Sequence, residues 1–139
     1  MGYYTSYGGK ITTIPMTQKQ VQNLLCAIYS DDNNEERYDI PADFTKAPVP
    51  DMFDGWKVEV LEKNQNTNTT SYEIGIWGDE KYYEDEVYQF LKAIAPFTTE
   101  GEIEYTGEDG EAWRFHFRNG SWYEDRGRIV YDDSMAPIK

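Results

Sequence analysis

Little in this sequence suits a catalyst. One cysteine and one histidine stand among 139 residues, so a zinc site would have to lean on carboxylates, and no His/Cys ligand spacing exists. The chain has no Gly-rich phosphate loop, no Gly-x-Ser-x-Gly nucleophile elbow and no helix carrying two metal-binding histidines. A single cysteine, Cys26, excludes an internal disulfide and fits a reducing compartment. No apolar run approaches the ~18 residues that a membrane span needs. The opening Met1-Gly2-Tyr3-Tyr4-Thr5-Ser6-Tyr7-Gly8-Gly9 has neither a basic nor an apolar signal region, so the expectation is a cytoplasmic protein without a secretion signal.

Positive charge is the other scarcity. Thirteen Lys and Arg face 26 Asp and Glu, a net charge of −13. A field of that sign repels nucleic acid and anionic membrane and attracts basic surfaces. Neither direct nucleic-acid binding nor membrane binding is expected. With 39% apolar and 16% aromatic residues, the composition is that of a folded domain, not of a disordered acidic tail. The whole chain, 1–139, is read as a single domain.

The elements follow from periodicity. Lys10 to Ile14 reads as a strand, followed by a helix start at Thr17. Thr17 and Gln20 have capping-box spacing, and Met16 and Val21 sit where a hydrophobic staple belongs. Val21, Leu24, Leu25 and Ile28 then recur at one helix face, which ends near Ser30. Residues 31–55 read as an irregular loop. It opens on Asp31-Asp32-Asn33-Asn34-Glu35-Glu36 and is broken by Pro41, Pro48 and Pro50. Phe44, Met52 and Phe53 imply that part of it packs down.

Trp56 to Glu62 and Ser71 to Trp77 alternate as strands, joined by a long polar loop over 64–70. A second helix is expected to open near Asp79, with Glu80, Glu84, Asp85 and Glu86 in its first turns, where the helix dipole favours negative charge. Tyr83, Val87, Phe90, Leu91 and Ile94 form its stripe. Pro96 ends it, because the residue before proline avoids the helical region.

The register of the last third follows from parity. A two-residue turn at Asp109-Gly110 would set Glu104 against Phe115. A three-residue loop, Glu108-Asp109-Gly110 with Gly110 left-handed, instead pairs Tyr105 with Trp113, Ile103 with Phe115, Glu104 with Arg114 and Glu102 with His116. Asn119-Gly120 launches a last strand, Ser121 to Tyr131, with a bulge expected near Gly127. Residues 132–139 read as a flexible tail. The order β-α-β-β-α-β-β-β predicts an α+β fold: an antiparallel sheet with two helices packed on one face, a ferredoxin-like core with an appended hairpin.

Candidate functional residues come from charge. Glu84, Asp85 and Glu86 crowd one helix start, and Glu100, Glu102 and Glu104 alternate along one strand, ~6.6–6.8 Å apart, about the phosphate spacing of a nucleic-acid strand. Arg114 and His116 should partly neutralise that row. Asp31, Asp32, Glu35 and Glu36 form a further acidic run, without the glycine and spacing of an EF-hand loop. His116 is read as a sheet-surface side chain, and Cys26 as a small packed residue. Tyrosine beside acid is also the composition of a protein-binding surface.

The opening Met1-Gly2-Tyr3-Tyr4-Thr5 and the run Gly107-Glu108-Asp109-Gly110-Glu111-Ala112-Trp113-Arg114 through Phe117-Arg118-Asn119-Gly120 resemble small acidic proteins encoded by phages and mobile elements of Gram-positive bacteria. The resemblance covers the first few residues and the last part of the chain, and it rests on turn and core signatures. It implies an origin more than an activity, and with that origin the class of host-defence inhibitors, anti-CRISPR and anti-restriction proteins among them. The expectation is therefore a non-enzymatic binding protein without cofactor or metal, acting in the host cytoplasm. Its acidic surface would block a basic, nucleic-acid-binding site on a defence nuclease. The rivals are a small carboxylate- or metal-dependent enzyme and a phage structural or assembly subunit.

Overall fold

The centre of the molecule is its first strand. The computed structural model describes residues 4–29 and 40–128. Within them β1 (Tyr4–Thr13) pairs antiparallel on one side with β3 (Thr69–Lys81) and on the other with β4 (Thr98–Gly107). Outward from β3 lies β2 (Gly55–Asn64). Outward from β4 lie β5 (Glu111–Arg118) and β6 (Ser121–Arg128). The fold is α+β, one six-stranded antiparallel sheet in the order β2-β3-β1-β4-β5-β6, with helices α1 (Gln18–Tyr29) and α2 (Glu84–Ile94).

Side chains of directly paired residues point to the same face, so the sheet's interior can be read row by row. Trp56, Ile76, Gly9, Ile103 and Phe115 form one row. Val58, Ile74 and Ile11 form the next, and Tyr7, Tyr105 and Trp113 another. Apart from Gly9 these are buried, together with Val21, Leu24, Leu25 and Tyr29 of α1 and Val87, Phe90, Leu91 and Ile94 of α2. Both helices therefore cover this face. Gly9 cannot be otherwise: a Cβ there would lie 2.1 Å from the Glu102 carbonyl oxygen, so β4 approaches β1 only because no side chain intervenes.

Several boundaries differ from expectation. β1 begins earlier than Lys10, since Tyr7 packs into the core and stacks on Tyr105 at 5.0 Å, and Gly8 and Gly9 pair regularly. β3 runs through Asp79 to Lys81, so α2 opens at Glu84, not near Asp79. A ladder to Ser6, Thr5 and Tyr4 outweighs the local acidic helix signal, and Tyr83 becomes an exposed N-cap residue outside the stripe. The loop between β2 and β3 is a tight turn over 65–68, in which Asn68 takes a positive φ. The Asn64 side-chain oxygen accepts there from the Asn66 and Thr67 amides. Ala95 keeps helical angles before Pro96, so the chain leaves α2 through a 3-10 turn over Ala95–Phe97 instead of an extended break. Gly127 pairs in regular register with Ala112 and carries no bulge, because Glu124 and Arg126 occupy the helix-side positions and bond to each other. Cys26 is exposed, one position past the buried Leu25.

Other expectations hold in detail. The Thr17 amide donates to Gln20 Oε1 at 2.8 Å and the Gln20 amide to Thr17 Oγ1 at 3.3 Å, the reciprocal capping box. β4 and β5 adopt the three-residue-loop register, Tyr105 on Trp113 and Ile103 on Phe115, with Gly110 at φ 85°. Within the 40–54 stretch, Asp43 caps a 3-10 turn over Phe44–Lys46, and Phe44 and Phe53 are buried. Asp31, Asp32, Glu35, Glu36, the end of the expected last strand and the tail at 132–139 lie outside the described residues.

Candidate functional site: the acidic end of the sheet

Antiparallel pairing gives the sheet two ends. At one of them β1 and β5 begin, β3, β4 and β6 finish, and α2 opens. That end collects acids from distant parts of the sequence. Asp51 and Asp54 lie just before β2, Asp79 near the end of β3, and Glu84, Asp85 and Glu86 in the first turn of α2. Glu104 comes from β4, Glu108 and Asp109 from the following turn, and Glu111 from the start of β5. All are exposed except the half-buried Glu111.

Two arginines whose side chains are described answer this charge, and both are already engaged. Arg126 reaches Glu124 at 2.7 Å, Glu84 at 3.2 Å and Glu111 at 3.4 Å. Arg114 reaches Asp125 at 3.1 Å and Glu102 at 3.3 Å. Asp85, Glu86, Glu104 and Glu108 form no ion pair with any residue whose side chain is described. Uncompensated carboxylates on an exposed end give a local field that steers cations inward.

Under the helix-side rim sits a shared-proton cluster. The Tyr88 hydroxyl lies 2.8 Å from Glu84 Oε1 and 2.6 Å from Glu124 Oε2, and a phenol has one proton to donate. Burial, then the two adjacent carboxylates, pushes the Tyr88 phenol up to about 12. Tyr82 and Tyr105 are raised further, chiefly by burial. The Tyr105 hydroxyl is buried without a hydrogen-bond partner among the described residues.

The residues singled out from sequence divide between the two sides of the sheet. Glu84, Asp85 and Glu86 stand on the helix side of the acidic end. Glu100, Glu102 and Glu104 project from the helix-free face, because their neighbours Ile103 and Tyr105 point into the core. Only Glu104 of the three reaches the acidic end. Glu102 is bound by Arg114, and Glu100 lies toward the other end, opposite Thr12. His116 is paired with Glu102 in register and sits 3.1 Å from Asp125. Asp54 and Asp79 escaped notice as site residues in the sequence because only the strand order brings them to the same end as Glu108. Trp77 also escaped notice, although its phase, opposite to Ile76, marks it as outward-facing; it is 51% exposed.

Among the described residues no group of three or more His, Cys, Asp or Glu side chains is placed to hold a metal ion. No helix there is long and apolar enough to cross a membrane. The arrangement is that of an α+β domain with one strongly acidic end. Compared with known proteins, the chain matches no protein-family model, no curated protein and no solved structure.

Proposed function

We propose that this chain is a non-enzymatic binding protein that presents the acidic end of its sheet to a basic site on a protein partner. In its specific form, the reading is a phage-encoded inhibitor working in the host cytoplasm. It would occupy the nucleic-acid-binding site of a defence nuclease of the CRISPR or restriction type. The observation that carries it is the gathering at one end of Asp85, Glu86, Glu104 and Glu108, which form no ion pair with any residue whose side chain is described, beside arginines that are already engaged. The resemblance of the chain's opening and C-terminal runs to phage and mobile-element proteins supports the finer form. The order β2-β3-β1-β4 supports reading the first four strands and two helices as a ferredoxin-like core with β5 and β6 appended.

Electrostatic docking accelerates association and weakens with salt. The test is capture of host-lysate proteins by the full chain and by a Glu84→Lys, Asp85→Lys, Glu86→Lys variant, at low and high ionic strength. A basic nucleic-acid-binding protein retained by the natural chain, released by salt and lost to the variant is the expected result. A partner captured equally by both proteins at every salt concentration would overturn the reading.

A further inference from the structure

We propose that the bare backbone at Gly8, between Trp77 and Glu104 on the helix-free face, is a slot that receives an arginine side chain of a protein partner. The inference rests on the reading of the acidic end and assigns it an anchor.

The geometry begins with one cross-strand row, Gly55–Trp77–Gly8–Glu104. Both direct neighbours of Trp77 are glycines. On the Gly55 side the indole already fills the space, since a Cβ on Gly55 would lie 2.4 Å from its ring atoms. On the other side nothing does. A Cβ on Gly8 would meet no atom closer than the Ile76 carbonyl oxygen at 3.7 Å. Strands lie ~4.8 Å apart, so the floor between the backbones bearing Trp77 and Glu104 is about 10 Å wide and carries no side chain.

Charge then selects the occupant. Asp79 shares Trp77's face two residues along β3, where Ser6 donates to it at 3.2 Å, and Asp54 binds the Asp79 amide at 2.6 Å. Asp79 and Glu104 thus bring carboxylates from β3 and β4 to the face that bears the exposed indole, while Asp54 lies toward the other side of β3, its Oδ2 beside the Gly78 position that faces Tyr7. The lysines of the next row point away: Lys10 pairs with Glu73 at 3.5 Å and Lys57 with Glu59 at 3.3 Å. Arg114 is held by Glu102 and Asp125. The slot is therefore anionic and aromatic, and none of the residues whose side chains are described supplies it with a cation. A planar guanidinium stacks on indole and forks to carboxylates in a way that a lysine ammonium cannot, and Trp and Arg are each enriched among the residues that carry most interface energy.

The test uses the isotope-labelled full chain and follows the indole N–H resonance of Trp77, assigned by its loss in Trp77→Phe. The probe is a blocked Gly-Arg-Gly peptide, with citrulline and lysine versions as controls. A saturable shift with the arginine peptide is expected, at least about three-fold weaker with the lysine peptide and absent with citrulline. Gly8→Val fills the slot with a strand-favouring side chain and should abolish the shift; Glu104→Gln should weaken it about three-fold. Amide spectra of both variants confirm that the fold is kept. Equal shifts from arginine and citrulline, or an undiminished shift in a folded Gly8→Val variant, would overturn the slot. The Glu84→Lys, Asp85→Lys, Glu86→Lys variant changes the helix side and should leave the Trp77 shift within about two-fold. Partner capture lost in that variant without any Trp77 response overturns the slot alone. A Trp77 response to arginine with partner capture indifferent to the triple reversal keeps the slot and removes the wider reading.

Discussion

The two ends of the sheet solve the same structural problems differently. A helix begins at each. At the end where α1 opens, Thr17 and Gln20 exchange hydrogen bonds across the first turn, which contains no acid. At the end where α2 opens, Tyr83 offers no side-chain cap, and Glu84, Asp85 and Glu86 stand in the first turn instead. The unsatisfied amides of a helix start can be met by hydrogen bonds or balanced by negative charge. Buried hydroxyls are engaged at both ends, since Tyr7 accepts from the Asp54 amide at the acidic one, but not all of them are. Thr13 accepts from the Tyr72 amide and Thr98 donates to the Ile94 carbonyl, whereas the Tyr105 hydroxyl near the acidic end has no partner among the described residues. The difference teaches that the acidic end gives up local stability where the other end secures it, a pattern expected of surfaces kept for binding. It also teaches that the α2 acids have a structural duty, so their presence in the sequence was never by itself evidence of a site.

That contrast can be broken or sharpened by measurement. The largest effect is expected from charge reversal. Poly-lysine binding should weaken about ten-fold or more at low salt when Glu84, Asp85 and Glu86 become lysines. The same number of reversals at the other end, at Asp43, Glu62 and Glu100, should do much less. Comparable losses would erase the distinction between the ends. Next comes the cap. Thr17→Ala should cost about 1 kcal/mol in urea unfolding, with little dependence on salt. In the opposite direction, Tyr105→Phe removes a buried hydroxyl that lacks a described partner and should stabilise the chain by about 1 kcal/mol; a loss of stability would reveal a partner for that oxygen.

Alkaline pH should act on the acidic end first. The Tyr88 phenol is raised in the fold from its ordinary 10.0 to about 12, so its neutral form is favoured there. The associated stability is complete below pH 10.0 and is lost as the pH climbs toward about 12. Unfolding measured between those limits should show a decline that Tyr88→Phe makes shallower. The smallest effect is expected from Asp85→Asn with Glu86→Gln. Stability should fall slightly at low ionic strength, and the difference should vanish near ~1 M salt, where charges are screened beyond about 3 Å.

The fold was legible where local rules left few alternatives. The parity of Ile103, Tyr105, Trp113 and Phe115 admitted one sensible register once Gly110 supplied a left-handed residue, and the α1 start carried its own capping partners. It was illegible where distant pairing competes with local signals. Asp79 and Glu80 look like a helix start until Ser6 and Thr5 claim them for the ladder. Gly9 looks like a strand breaker until the close approach of β4 demands it. The candidate site was partly visible: Glu84, Asp85, Glu86 and Glu104 stood out, while Asp54, Asp79 and Glu108 became neighbours only through the strand order. Trp77 carried a readable signal in its alternation and its flanking glycines.

The position of β1 sets how the chain must fold. Its partners arrive late in synthesis: Thr12 pairs with Glu73, and Thr5 with both Glu80 and Gly107. The middle of the sheet therefore waits on the closure of two long loops, which slows folding at a given stability. Before β4 emerges β1 can pair only on its β3 side, where its ladder and the Met16–Thr70 backbone bonds tie the α1 segment to the β2–β3 hairpin, and its other edge stays open. A truncation ending before Thr98 should behave as a collapsed chain without cooperative unfolding, because it lacks the strand that completes the centre.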